Sequence, residues 1–447
     1  TCDDFVSAMS DASNIKLEQF KRWYSQSGTP RLNVQQSYHS ETQTFSLTIE
    51  QAAPINQPQN DTLHIPFAIE LLDSKGKSVP LQYKGQSVDH VLDVTKATQT
   101  FNFDQLAEQP VAVLLEDFSA PCILKQHSND QDLLHIMRFA RSDFSRWDAQ
   151  QQLFINAVKR GIASKKPEPL SNEIIAALQV LIASRAGDLA LLAELLKLPS
   201  FDTLAAEFET IPVDAILNIT QQFEQQIADT LEQEFINCYQ ALEDDGSVNA
   251  AAVAIRSLKQ QCLYYLAKTD SLPAAEFIKE AASSTNMTNV LGALSGAIKA
   301  SHTLSDTLLA HFDSQWRHDV LVMDKWFALQ AMQSGDDAID NIKALYEHPC
   351  FDFSNPNRVR ALIGSFSHFN TAQFHRLDGK GYALLGDLLI KLNTINPQNA
   401  SRMLTPFMSW KRYDKVRSAA MKTQLQRLAD LDTLSDDLFE KVEKALN

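Results

Sequence analysis

From Arg31 to about Lys125 apolar and polar residues alternate, and from there onward apolar residues recur every three or four positions. In Thr44 to Gln51, Phe45, Leu47 and Ile49 alternate with polar neighbours, the pattern of a strand with one face in a core and one in water. Leu63 to Leu72 continues the pattern, and Asp73-Ser74-Lys75-Gly76-Lys77 supplies a hairpin turn toward Val79. Val88 to Val94, Thr98 to Phe103 and Val111 to Leu115 are further strand segments. Short strands at about ten-residue spacing, with no helix between them, predict a small antiparallel β-sandwich of roughly 90 residues. After Pro121 the strand signal is expected to stop.

The remainder reads as helix after helix. Val213 to Leu242 carries Ile216, Ile219, Phe223, Ile227, Leu231, Phe235, Cys238 and Leu242 on one stripe, a single long amphipathic helix opened by Pro212. Leu134 to Lys159, Ala250 to Ala267, Leu291 to Ala300, Asp324 to Met332, Tyr382 to Asn393 and Ser435 to Leu446 are among the other helical segments, many separated by Gly, Pro or Asn. Helix pairs joined by short loops stack as antiparallel hairpins into a curved array with a concave face. With no fixed-period consensus, the expectation is a degenerate, HEAT-like superhelical bowl. The fold class is therefore multidomain and mainly α, a small sandwich followed by an all-α solenoid.

Ahead of the sandwich, Phe5, Met9 and Ala12 mark a helix capped by Thr1 or Asp3, and Leu17 to Tyr24 a second one, ending at Ser25-Gln26-Ser27-Gly28-Thr29-Pro30. Two helices of this size cannot bury an apolar face alone. Together with the absence of an initiator Met, this leads to the expectation that Thr1 is an internal boundary of a longer protein. The expected domains are residues 1–30, 31–125 and 126–447.

Composition narrows the function classes. Hydrophobic residues form 44% and charged residues 21% of the 447, an ordinary globular balance. The net charge of −15 (40 basic against 55 acidic residues) is spread along the chain and argues against nucleic-acid binding. Lys411, Arg412, Lys415 and Arg417, the densest basic cluster, are expected on a solvated surface. Five widely spaced cysteines without a C-x-x-C pair fit a reducing compartment, with Cys238 and Cys262 as small buried hydrophobes. No export signal or membrane span is legible.

None of the eleven histidines is followed by Glu, so no H-E-x-x-H zinc helix exists in the chain. No G-x-S-x-G elbow, P-loop or G-x-G-x-x-G is present. Glu243-Asp244-Asp245-Gly246 lacks the alternating ligands of a calcium loop and reads as a solvated helix end. His311 and His318 lack a third metal ligand. More informative are Asn355-Pro356 and Asn396-Pro397, each a helix cap followed by Pro at the first helical position. They precede Arg358 and Arg360 in one case and Arg402 in the other. A cation at a helix start opposes the macrodipole, so local stability does not select Arg358 there. Either an anionic group such as a peptide carboxylate meets these arginines, or a neighbouring Asp or Glu neutralises them.

Longer strings carry a resemblance. Phe20-Lys21-Arg22-Trp23-Tyr24-Ser25-Gln26-Ser27-Gly28-Thr29-Pro30, Leu63 to Leu71, Phe118-Ser119-Ala120-Pro121, Val322-Met323-Asp324-Lys325-Trp326-Phe327, Ser354-Asn355-Pro356-Asn357-Arg358 and Asn396-Pro397-Gln398 with Ala400-Ser401-Arg402 resemble the C-terminal portion of the bacterial aminopeptidase N family, gluzincin zinc aminopeptidases of the membrane alanyl aminopeptidase type. The resemblance covers essentially the whole chain. It implies a parent of four domains, of which this chain holds the end of the thermolysin-like catalytic domain (1–30), the sandwich (31–125) and a helical C-terminal domain that closes over the active site (126–447). In such a parent zinc polarises the scissile carbonyl and activates water beside a general-base Glu; those residues lie upstream, so no catalytic residue and no metal ligand carries over. The resemblance further implies that Arg360, Gln398 and Arg402 line the substrate channel.

The leading reading is thus a non-catalytic C-terminal part of a cytoplasmic zinc aminopeptidase, inactive alone, with peptides and the N-terminal half as partners, enclosing the active site and governing access. The alternative is a free-standing scaffold that binds a protein on a concave helical surface.

Overall fold

A computed structural model describes residues 1–52, 61–126, 128–164, 168–185, 187–269 and 271–447. The chain divides into two compact units, Thr1–Phe154 and Ile155–Asn447.

In the first unit the alternating pattern folds as read. Strands β1 (Arg31–His39), β2 (Thr44–Ala52), β3 (Ile65–Leu72), β4 (Gln82–Tyr83), β5 (Gln86–Ser87), β6 (Val91–Val94), β7 (Thr98–Phe103), β8 (Val111–Leu114) and β9 (Ile123–Lys125) form a four-stranded sheet β7-β2-β1-β9, a three-stranded sheet β6-β3-β8 and a two-stranded ribbon β4-β5. Antiparallel pairing sets Val34 opposite Ile49 and Leu47 opposite Phe101. Leu32, Phe45, Leu47 and Ile49 from one sheet and Ile65, Phe67, Ile69 and Leu71 from the other make the shared core. Strand structure does return after Pro121: β9, only three residues long, lies parallel to β1 with Ile123 opposite Arg31. A strand that short has no period to read, and its partner is about 90 residues away.

Strand β3 is buried on both faces, Glu70 included. The Glu70 carboxylate accepts the backbone N–H of Arg141 at 3.0 Å, and Arg141 holds the buried Glu116 with two donors at 3.0 and 2.8 Å. That pair fixes a tight segment in which Leu115, Asp117 and Phe118 all have φ near +50°. At the predicted hairpin, Asp73 Oδ1 accepts the N–H groups of Lys75 and Lys77, and His135 reaches the Asp73 carbonyl at 2.8 Å. Gly76 (φ 80°) is obligatory there, because a Cβ would sit 2.2 Å from the Phe139 ring.

The helix Cys2–Ser13 starts with a reciprocal Thr1–Asp4 capping box. The second helix is one turn, Arg22–Ser25, shorter than the expected Leu17 to Tyr24. Gln19, Arg22 and Trp23 bond instead to the carbonyls of Thr62, Thr95 and His64. Phe5 and Met9 stay exposed, and Val6 is the buried residue of the first helix.

The second unit is helical throughout its described residues. The stripe expected over Val213 to Leu242 is all buried, yet it belongs to two helices, Val213–Thr230 and Glu232–Ala241, because Leu231 leaves helical geometry (φ −111°, ψ 20°). Leu134 to Lys159, which begins in the first unit, likewise resolves into Asp130–Phe139 and Asp143–Ser164, interrupted at Ala140 (ψ 142°). An apolar stripe can continue across such a break, so periodicity alone does not reveal it. The helix Ala250–Leu266 packs between Leu189–Leu195, Glu232–Ala241 and Met287–Lys299, and a second core runs from Val290 to the helix Asp436–Leu446.

Arg417 departs from its expected solvated place. It is buried, donating to Asp214 Oδ1 at 2.6 Å, Asp414 Oδ2 at 2.8 Å and the His375 carbonyl at 2.7 Å. Arg412 is tied to the carbonyls of Ala205 and Phe208. Sequence spacing placed these cations on one helix surface but could not show that residues some 200 positions earlier cover it.

Candidate functional site

The two Asn-Pro sites behave locally as the sequence dictates. The Asn355 side chain accepts from the N–H groups of Asn357 and Arg358 at 3.0 and 3.3 Å, opening the helix Pro356–Val359. Asn396 accepts from Asn399 N–H at 3.0 Å, opening Pro397–Met403. In both, Pro supplies a preset φ where an N–H has no partner to lose. Just upstream of the first, the Ser354 hydroxyl and N–H hold the Asp352 carboxyl below the usual range.

The first helix then widens into a π turn, Arg360–Gly364, before resuming as Ser365–Phe369. Such turns insert one extra residue and re-aim side chains, and they are frequent at functional sites. Arg360, the first residue of the turn, is exposed. Its stem lies across Gly364: a Cβ there would be 3.1 Å from Arg360 Cγ and 3.6 Å from Met403 Cε. Glycine at 364 thus lets the end of Pro397–Met403 approach the π turn. On that helix Gln398 and Arg402, four apart, share one face and are both exposed. Among the described residues neither Arg360 nor Arg402 has a carboxylate within ion-pair reach. The end of the helix that carries Gln398 and Arg402 thus lies against the π turn that starts at Arg360, and both arginines are exposed.

Arg358 takes the other alternative. It is 1% exposed, and its Nε donates to Asp324 at 2.7 Å, Nη1 to the Cys350 carbonyl at 2.5 Å and Nη2 to the Val320 carbonyl at 2.8 Å, above the Phe327 ring. A partner 34 residues upstream outweighs the unfavourable dipole. The sequence carried no signal for this pairing, nor for the π turn or the Gly364 approach.

The remaining candidates are structural. Glu243, Asp245 and Gly246 are exposed just past the helix Glu232–Ala241, as expected of a solvated helix end, while the Asp244 side chain turns in to pair with Arg256 at 2.7 Å and accepts from Asn289 and Gly246. His311 and His318 are both exposed, and His318 stacks on Trp316. Cys238 and Cys262 are buried free thiols that share a hydrogen bond. Among the described residues no three His, Cys, Asp or Glu side chains come together as a metal ligand set, and no helix is long and apolar enough to cross a membrane.

Known proteins resemble this chain along its length. Residues 130–447 match the family described as "Domain of unknown function (DUF3458_C) ARM repeats", and residues 28–127 match "Domain of unknown function (DUF3458) Ig-like fold". The chain is 43% identical over its whole length to aminopeptidase N of Escherichia coli (strain K12), and 42% identical to that of Haemophilus influenzae, covering 52% of each. A crystal structure of Legionella pneumophila aminopeptidase A in complex with aspartic acid superposes with a TM-score of 0.86 at 29% identity, over 100% of this chain and 52% of that one. The chain thus spans about half the length of the relatives it matches.

Proposed function

Because the chain belongs to the aminopeptidase N family and matches the C-terminal portion of its members, we propose that it is the non-catalytic part of a cytoplasmic, zinc-dependent enzyme removing N-terminal residues from peptides. In this reading it walls the active-site cavity and governs which peptides enter. The described residues do not fit a zinc centre, so no step of the hydrolysis is assigned to them.

The observation that supports the access role is the exposure of Arg360 and Arg402, neither with a carboxylate partner among the described residues, on segments that meet at Gly364. Charges left without a partner serve an anion that arrives from outside, and a peptide offers its C-terminal carboxylate and acidic side chains. In the complete enzyme, R360A/R402A is expected to raise KM for tripeptides and longer peptides about 10-fold while leaving kcat within about twofold, the signature of lost uniform binding. Aminoacyl-anilides, which lack a carboxylate, should change little. Equal effects on both substrate types, or none on either, would remove the basis for this role.

A second expectation concerns the partner. Phe5, Met9, Ile15 and Tyr24 are 49–60% exposed, an apolar row unusual for a finished surface. The isolated chain should be inactive on aminoacyl-anilides and should form a one-to-one complex with the separately produced N-terminal half, weakened at least about tenfold by F5E/M9E. Sedimentation of a monomer that ignores the added half, or chelator-resistant turnover by this chain alone, contradicts the reading.

A further inference from the structure

A cavity of about 240 Å³ lies on the second unit, lined by residues other than Arg360, Gln398 and Arg402. Its floor is Leu384 and Leu388, both nearly fully buried, on the helix Lys380–Ile395. Its aromatic walls are Tyr346 and Phe353, set edge to face with ring centroids 5.0 Å apart. Burial pushes the Tyr346 hydroxyl well above its ordinary range, so the wall is neutral at any physiological pH.

Three charged groups stand at the mouth, all exposed: Lys343, Asp387 and Lys391. The Lys391 ammonium lies 3.3 Å from the Phe353 ring centroid and, like Lys343, has no carboxylate partner among the described residues. Asp387 is four residues before Lys391 but does not pair with it; its Oδ1 accepts from Arg427 at 2.8 Å, which leaves Oδ2 for another donor. An apolar, aromatic-walled recess whose mouth offers both cations and a carboxylate is complementary to a ligand with one apolar group, one anion and one cation.

We propose that this cavity is a binding site for a free α-amino acid with an aromatic side chain. The side chain packs against the touching rings of Tyr346 and Phe353 and onto Leu384 and Leu388. The α-carboxylate meets Lys391 and Lys343, and the α-ammonium donates to Asp387. The volume is enough for one such side chain. Binding does not depend on any activity of the protein. That such a ligand is also of the product class of an aminopeptidase, so that the site senses released product, rests on the function proposed above.

The test is equilibrium dialysis of the 447-residue chain against isotopically labelled L-phenylalanine, read without any turnover assay. Saturable binding of one equivalent is expected, with Kd in the low millimolar range for so small a ligand. L-phenylalaninamide and N-acetyl-L-phenylalanine should compete at least about tenfold more weakly, because each lacks one of the two charges. K391M and D387N, substitutions of exposed side chains, should each weaken binding about tenfold, with unchanged circular dichroism showing that the fold is kept. No saturation at tenfold higher concentration, amide binding as tightly as acid, or binding indifferent to both variants each overturns the proposal. Loss of the binding site would leave the peptide-access role untouched, and failure of that role would leave the binding result standing.

Discussion

Replacing Arg358 with Ala is expected to lower the unfolding free energy of the helical unit by about 3–5 kcal/mol, the cost of orphaning one member of a buried ion pair. Three groups depend on this guanidinium: Asp324 and the Val320 carbonyl on the helix Val320–Gln330, and the Cys350 carbonyl ahead of the Asn355 cap. Its removal leaves a carboxylate that is four-fifths buried, takes one donor from each of two carbonyls, and opens a hole above Phe327. Denaturant unfolding followed by fluorescence measures the loss. The double variant R358M/D324L should recover most of it, since an apolar pair of similar volume avoids the desolvation of both charges. A loss below about 1 kcal/mol for the single variant would show that the pair is solvated in solution and that Arg358 is available to ligands after all. The comparison with R360A is instructive, because two residues along and exposed, Arg360 should cost less than about 0.5 kcal/mol.

The second large effect is on acid stability. His375 is buried between Tyr382, whose hydroxyl lies 2.8 Å from Nδ1, and the ring of Tyr413, stacked at 4.7 Å. Burial, reinforced by the positive charge of Arg417 and only partly offset by Asp414 and Asp214, pushes its pKa down to about 3 from 6.5. The sign follows from linkage. Above pH 6.5 the imidazole is neutral in both folded and unfolded chains and its contribution is fully present. As pH falls below 6.5 the unfolded chain takes up a proton that the folded chain refuses, so stability is lost progressively until pH about 3. At pH 4.5 the loss should be about 2–3 kcal/mol relative to neutral pH. H375Q should unfold with a pH dependence shallower by that amount, whatever its stability at pH 7. Identical slopes for the two proteins between pH 6.5 and 4.5 would mean that the imidazole is hydrated and titrates normally.

These two residues mark the limit of what the sequence disclosed. Local rules were legible: alternation gave β2 and β7 almost to the residue, the Asp73-to-Lys77 turn and both Asn-Pro caps formed as their chemistry requires, and the stripe from Ile216 to Leu242 is buried in full. Each of these depends on neighbours within a few positions, where period and capping act. Strand β9, the breaks at Ala140 and Leu231 and the π turn at Arg360 were not legible, because a three-residue strand or a single-residue break leaves the hydrophobic period unchanged.

By itself the sequence determined that a sandwich precedes a helical array, that no H-E-x-x-H helix lies within the chain, and that cations stand at two helix starts where the dipole does not want them. Only the tertiary structure decided which of those cations are available. Arg358 and Arg360 are indistinguishable by type, charge and local spacing; Asp324, 34 positions away, claims one of them, and the other, exposed at the start of the π turn, has no carboxylate partner among the described residues. Arg417 was claimed in the same way by Asp214. Neutralisation of a charge depends on what packs within about 4 Å, and in a stacked helical array that neighbour comes from a distant part of the chain whose position no local pattern records.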